Sequence, residues 1–319
     1  MSARGGGRMS AWGIEDETAP LADVLVGPPE HFEWLPTSAI SKAALASGRK
    51  LTREDVIRAH AEMLAAYEDA GVRVHRLEPD PALKYQVFSR DSSIWGPDGP
   101  IVTQPAQWWR RGEYAPVLRF YEAAGIAVAE MVSAASFEGG DVVLPMQRCA
   151  LIGHGDERTQ APAAHQVAAW LEQRGWTVRL QPFDPHFVHI DVIVCMAAPG
   201  LAVICLEAAP PGLIEWLEGL GVELLAVTYA EAMQLGANVM SLGRDRVLSA
   251  AGAGALNERL RALGLTVFDP DLWPFTMGGG GPHCLAQPLR RGASRAGRGA
   301  SRAARESVQR DRESTQTGR

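Results

Sequence analysis

The residues able to do chemistry fall in a few short segments. One is Thr276–Arg291, TMGGGGPHCLAQPLRR, in which four glycines and a proline run into His283 and Cys284. Glycine backbone folds tightly and lets a ligand approach closely. A phosphate loop would need Gly-Lys-Ser/Thr and a following helix, and neither is present. The chemistry on offer is therefore Cys284 as a nucleophile, whose thiolate needs a nearby cation or imidazole. A single cysteine is more often structural, and that is the reading for Cys149, Cys195 and Cys205. His189 is the candidate base. It opens the apolar run HIDVIVCMA, with Asp191 two residues on. In a strand i and i+2 face one side, so the two would share a space. A satisfied polar pair at a strand start is the plainer alternative. A metal set of His189, Asp191 and His283 lacks a tight ligand spacing.

Two further segments carry acids. Phe137-Glu138-Gly139-Gly140-Asp141 taken alone reads as a turn, and the Arg90-Asp91 pair of Phe88-Ser89-Arg90-Asp91 as a surface ion pair. Taken together, Asp91, Glu138 and Asp191 would repel one another around His189 and Cys284 unless a cation sat among them. That predicts a planar cationic substrate with several donors. Guanidinium fits, because its fork of N–H groups pairs with carboxylates in fixed geometry.

The elements that must position these residues repeat. Five times a helix-period segment ends in glycine and gives way to a β-rich run, at Gly71, Gly125, Gly175, Gly221 and Gly264, 43 to 54 residues apart. Glycine just past a helix end is the expected left-handed cap. One such unit cannot bury its apolar face alone, so the repeat implies a closed or stacked array. A doubly wound α/β sheet also alternates helix and strand. Near-equal repeats favour a ring, as do candidate residues at similar places after the strands. The expected division is a flexible N-terminus over 1–20, one α/β domain over 21–290 and a disordered Arg-rich tail over 291–319.

Composition narrows the function. At 46% hydrophobic and 21% charged residues, the 319-residue chain is globular rather than disordered, collagen-like or coiled-coil. The tail holds eight Arg against Glu306, Asp311 and Glu313, so with a net charge of −6 the body is acidic. An acidic body argues against nucleic acid as the main partner. Four cysteines without a C-x-x-C pair point to a reducing cytosol rather than a disulfide scaffold. The first twenty residues lack the apolar stretch of a signal peptide. Val192–Cys205, interrupted by Pro199 and Gly200, is too short to span a bilayer, so no membrane partner is expected.

At these segments the chain resembles the guanidino-group modifying enzymes, which include arginine deiminase, dimethylarginine dimethylaminohydrolase and the amidinotransferases. The matching stretches are Phe88–Asp91, Trp109-Arg110-Arg111-Gly112-Glu113, Phe137–Asp141, His189-Ile190-Asp191 and Gly279–Cys284. The resemblance covers about Tyr85 to Arg290. It implies a five-bladed, pseudo-symmetric α/β propeller in a single domain. Further implied are Cys284 as nucleophile, His189 as proton carrier and Glu138 as the group that orients it. Asp91 and Asp191 would hold the guanidinium, Arg110 and Arg158 the substrate carboxylate, and Asn238 a place in the pocket. The implied activity is hydrolysis of arginine or a similar guanidino compound through an amidino-cysteine. An amidinotransferase is the alternative, and no metal or organic cofactor is required. Asp191 favours a substrate nitrogen with free N–H groups, since the dimethylarginine branch tends to lack it. The missing helical insertion speaks against a strict arginine deiminase, and a ribosome-binding module of the same fold would lack the acid–His–Cys set. A homodimer is compatible with the sequence, which fixes no oligomeric state.

Overall fold

The computed structural model describes residues 12–292. Its strands form five sheets of three. One sheet joins β1 (Leu21–Val26) and β2 (Arg73–Arg76) to the last strand, β15 (Ala286–Arg291), in the order β15-β1-β2. The second holds β3 (Ser93–Gly96), β4 (Gly99–Val102) and β5 (Glu130–Met131). The third holds β6 (Val142–Met146), β7 (Cys149–His154) and β8 (Thr177–Pro182). The fourth is β9 (Val194–Ala198), β10 (Leu201–Cys205) and β11 (Glu223–Val227), and the fifth β12 (Met240–Gly243), β13 (Arg246–Leu248) and β14 (Thr266–Phe268).

Each sheet has one plan. Its middle strand pairs antiparallel with the first and parallel with the third. A parallel pair needs a crossover, and a helix supplies it. These helices are α2 (Arg53–Asp69), α3 (Tyr114–Ala123), α4 (Ala161–Glu172), α5 (Leu213–Gly219) and α7 (Gly254–Ala262). α1 (Ala39–Ala46) and two single turns, α6 (Tyr229–Ala232) and α8 (Trp273–Thr276), lie outside that plan.

The five glycines read as caps are caps. Gly71, Gly125, Gly175, Gly221 and Gly264 all have φ between 66° and 88°. After α2, Val72 N donates to Tyr67 O and Gly71 N to Glu68 O, and the other four helices end on the same pair of bonds. That is a Schellman ending, which satisfies carbonyls a helix end leaves open. The inner hairpins carry the apolar load. Every residue of β9 and β10 is buried, and the apolar run Val192–Cys205 is a hairpin turned at Pro199-Gly200. Strands buried on both faces read as continuous apolar runs. On α2, Val56, Ala59, Met63 and Tyr67 recur at helical spacing and face the core.

β15 lies against β3, β6 against β9, β9 against β12 and β12 against β1, while strand ladders stop within each sheet. The described residues thus form an α/β fold of five small sheets with no closed barrel. None of their helices is long and apolar enough to cross a membrane.

The domain boundary expected at residue 20 moves. Ile14, Asp16, Glu17, Thr18 and Ala19 are all buried. Glu17 is held by Arg90 Nη2 at 3.1 Å and Leu144 N at 2.8 Å, so this segment is anchored by a buried carboxylate. At the other end β15 runs through Arg291, whose guanidinium donates to Ala19 O and Ser241 O. The expected N-terminal flexibility over 1–11 and tail disorder over 293–319 lie outside the described residues.

Gly243 has φ +81°, and a Cβ added there would lie 2.3 Å from Pro20 Cα. Gly243→Ala should therefore lower unfolding stability by about 2 kcal/mol or more. Urea denaturation measures it, and an unchanged midpoint would contradict this contact.

Candidate active site

Five equivalent points of the repeat supply the site. Asp91 lies in the 3-10 turn Ser89–Ser92, just before β3. Glu138 precedes the turn Gly139–Asp141 that opens into β6, and His189 precedes the turn Ile190–Val192 that leads to β9. Asn238 and Cys284 stand just ahead of β12 and β15. Each point follows the outer strand of one sheet and leads into the first strand of the next. The turns interlock closely: a Cβ on Gly140 would sit 2.6 Å from His189 Nδ1. Val188 adopts φ +65°, ψ −62°, and His189 N donates to Phe187 O at 2.7 Å. This γ-turn is strained for a β-branched residue and marks the approach to His189.

The structure gathers all seven expected residues, and all are buried. Asp91, Arg110, Arg158, His189 and Cys284 line one cavity with Thr37, Ser38 and the glycines 278–280. Glu138 and Asp191 stand behind it as partners of His189 and Cys284. The cavity measures about 20 Å³, room for roughly one water molecule. An open groove of about 680 Å³ shares Thr37 with it and is also lined by Lys42, Trp109 and Glu157.

Around the sulfur, Cys284 Sγ donates to Asp191 Oδ2 at 3.3 Å and accepts from Asn238 Nδ2 at 3.3 Å. Asn238 Oδ1 accepts the backbone N–H of both His283 and Cys284, fixing the end of the glycine run. Room for that amide exists because residue 281 lacks a side chain: a Cβ there would be 2.7 Å from Asn238 Oδ1. Burial, then the charges of Asp191 and Asp91, push the Cys284 thiol well above its ordinary value. At rest Cys284 is a thiol. Burial works against ionised Asp191, but the hydrogen bond and charge of His283 outweigh it and hold the carboxyl below its usual range. Asp191 Oδ2 also takes His283 Nδ1 at 2.8 Å, while Asp191 Oδ1 is buried with no partner.

His189 has the opposite balance. Its Nε2 is 2.8 Å from Glu138 Oε2 and its Nδ1 is 3.8 Å from Asp91 Oδ1. Burial pulls its pKa down, but Asp91, Asp141 and Glu138 outweigh that and raise it to about 10. The ring is an imidazolium at neutral pH. Glu138 stays ionised because Arg158, His189 and Arg110 overcome its burial and hold it well below the usual carboxylate range. Its Oε1 also accepts Ala106 N at 2.9 Å.

Arg110, expected on the substrate carboxylate, has its guanidinium turned onto protein acids. It forms a fork with Glu113 at 2.9 and 2.8 Å and reaches Asp91 Oδ2 at 2.9 Å and Glu138 Oε2 at 3.4 Å. Arg158 Nη1 donates to Glu138 Oε2 at 3.2 Å, while its buried Nε has no partner. Asp91, Glu138 and His189 place ligand atoms within 4.8 Å of one another. Arg110, Arg158 and the protonated ring itself already neutralise these two carboxylates. Of the metal set weighed from sequence, Asp191 and His283 are in contact, whereas His189 is turned to Glu138 and Asp91. Sequence reasoning gave no role to Glu113 or Glu17. Glu113 lies in a matched stretch and could have been found by its i,i+3 spacing from Arg110.

Residues 29–291 match the family described as N,N dimethylarginine dimethylhydrolase, eukaryotic. The chain belongs to that family. It is 27% identical to the uncharacterized protein YkgA of Bacillus subtilis over 282 residues, covering 86% of this chain and 94% of that one. It is 28% identical over 265 residues to the arginine deiminase of Mycobacterium marinum, covering 69% of this chain and 64% of the relative. The N-terminal domain of ArgZ, a cyanobacterial arginine dihydrolase solved with product, shares the fold with a TM-score of 0.74 at 19% identity. That match covers 84% of this chain and 97% of the ArgZ domain.

An unfolded histidine titrates near 6.5, and His189 in the folded protein near 10. Its contribution to stability is therefore complete below about pH 6.5 and is lost as pH rises through about 10. The stability difference between wild type and His189→Gln should narrow steadily across that window in urea titrations. A pH-independent difference would mean a neutral ring.

Proposed function

We propose that the protein hydrolyses the guanidino group of arginine or an arginine-like compound through a covalent amidino-cysteine. One observation carries this reading: the unpartnered Asp191 Oδ1, buried on the carboxylate that also holds the Cys284 thiol. A buried carboxylate oxygen without a donor is costly, and a guanidinium N–H beside the sulfur removes that cost. The family match and the arginine-processing relatives support the same reaction class.

The steps follow from the charges. The cation enters between Asp191 and Asp91 and offsets the repulsion that keeps Cys284 protonated. The thiol proton leaves to Asp191 Oδ2 or solvent, and Sγ bonds to the guanidinium carbon. His189 then donates a proton to the departing nitrogen. The donor is Nδ1–H, since Nε2 is held by Glu138. The C–N bond breaks and a thiouronium remains on Cys284. The ring, now neutral, takes a proton from water as its oxygen adds to the same carbon. The C–S bond breaks, leaving a urea-type product, which from arginine is citrulline with ammonia. Side chains alone carry these steps. We also read the five sheets as blades around one axis, because β15 lies against β3, β6 against β9, β9 against β12 and β12 against β1, and the second and third sheets share one apolar core. Four free thiols agree with a reducing, cytosolic setting.

Incubation with arginine and no acceptor should give equimolar citrulline and ammonia, and Cys284→Ser should lower the rate at least about a thousandfold. Mass spectrometry of the wild-type protein acid-quenched during turnover of arginine should show arginine less ammonia on Cys284. An adduct lacking the ornithine chain, with ornithine released only when glycine or another amine is supplied, would establish transfer instead.

A further inference from the structure

Behind Cys284 runs a line of buried charge, and two of its members, Glu17 and His283, have no part in the reaction steps. His283, the residue before Cys284, bridges two acids that are far apart in sequence. Its Nδ1 meets Asp191 Oδ2 at 2.8 Å and its Nε2 meets Glu17 Oε1 in a short hydrogen bond. The side chains of His283, Glu17 and Asp191 are 1%, 3% and 0% exposed. Glu17 is itself fixed by Arg90 Nη2 and by Leu144 N. Arg90 is tied in turn to Gly139 O and Val142 O, next to the turn that carries Glu138. The charges alternate along this line: Arg90, Glu17, His283, Asp191, then the thiol.

We propose that Glu17 and His283 are positioning residues that set the orientation and charge of Asp191 for attack by Cys284. The inference rests on the hydrolase reading for its purpose but not for its geometry. His283 uses Asp191 Oδ2, the oxygen that also holds the thiol, and so leaves Oδ1 open for the incoming cation. An imidazolium here also blunts the repulsion between Asp191 and a forming thiolate. Glu17 keeps the ring in that state and in that rotamer by accepting its second N–H. The charged groups facing the ring are Glu17 from the N-terminal segment, Arg90 from the turn before β3 and Asp191 from the turn before β9. On this account the ordered segment before β1 is a working part of the site: it delivers a carboxylate from 266 residues away.

The test reads Cys284 without substrate. Iodoacetamide alkylation of Cys284 is followed against pH in wild type, Glu17→Gln and His283→Gln, with Cys284→Ser as the blank. Wild type should give a single ionisation. Glu17→Gln frees His283 to titrate nearer its ordinary value, so a second step should appear at pH about 6 to 8. His283→Gln should show no such step and should be alkylated at least tenfold more slowly at pH 8. In turnover, kcat/KM on arginine should fall about tenfold or more in both. Imidazole ¹⁵N NMR of the wild-type protein should find both nitrogens of His283 protonated at pH 7, which decides the matter even if the variants do not fold. A neutral ring overturns the proposal. So do folded variants with wild-type alkylation profiles and kcat/KM within threefold. A wild type that processes no guanidino compound sinks the hydrolase reading instead, and leaves the alkylation and NMR results to judge this one.

Discussion

Buried like charge is the constraint on which the site depends. Asp91, Glu113, Glu138, Asp141, Asp191 and Glu17 are nearly sealed from water in one region of the protein. Removing one carboxylate from water costs several kcal/mol, and crowding them adds repulsion. The fold answers with Arg90, Arg110, Arg158, His189 and His283, each within hydrogen-bond reach of at least one acid. Asp141 shows what happens where compensation falls short: burial dominates and pushes its carboxyl up to about 7. Seen this way, Arg110 is an internal guanidinium. It already demonstrates that a planar fork of N–H groups fits between Asp91, Glu113 and Glu138.

The repeat explains how so many charges can converge without a binding domain of their own. Each sheet contributes the short segment that enters its first strand. These strands are the buried ones, so their entry points are held by the core rather than by flexible loops. Packing between neighbouring first strands then fixes the distances, as in the interlocked turns around Gly140. Function is thereby built on the most rigid part of each unit, where geometry can be kept to fractions of an ångström.

Much of this was legible in the sequence, for local reasons. The cap glycines announced five helix ends because a left-handed residue after a helix is a one-residue signal. The pairing of Asp191 with the His189 segment and the HC step at residues 283 and 284 were legible because each lies within a few positions. What stayed hidden is long-range. Nothing near Glu17 shows that it meets His283, so the segment over 12–20 read as loose chain. Arg110 was assigned to a substrate carboxylate by resemblance alone. Its three acid partners at 91, 113 and 138 come together only when two sheets pack. The strand β5, two residues long, has no periodicity to read at all.

The raised thiol and the raised imidazole belong to one design. On the proposed mechanism, a thiol kept protonated by burial and by Asp191 and Asp91 reacts slowly with neutral electrophiles. Only a cation relieves the field that holds the proton on sulfur, so on the proposed mechanism the substrate's own charge switches the thiol on. Asp91 also helps to keep His189 protonated, with Asp141 and Glu138, and on the proposed mechanism that proton goes to the leaving nitrogen. Selectivity and catalysis then draw on a single electrostatic arrangement. Binding energy offered to the guanidinium in the ground state is partly returned as a lower cost of forming the thiolate, which is where it raises kcat rather than affinity alone. A cavity of about 20 Å³ closes the argument. Little water shares so small a space with Cys284, so the field around the thiol stays strong.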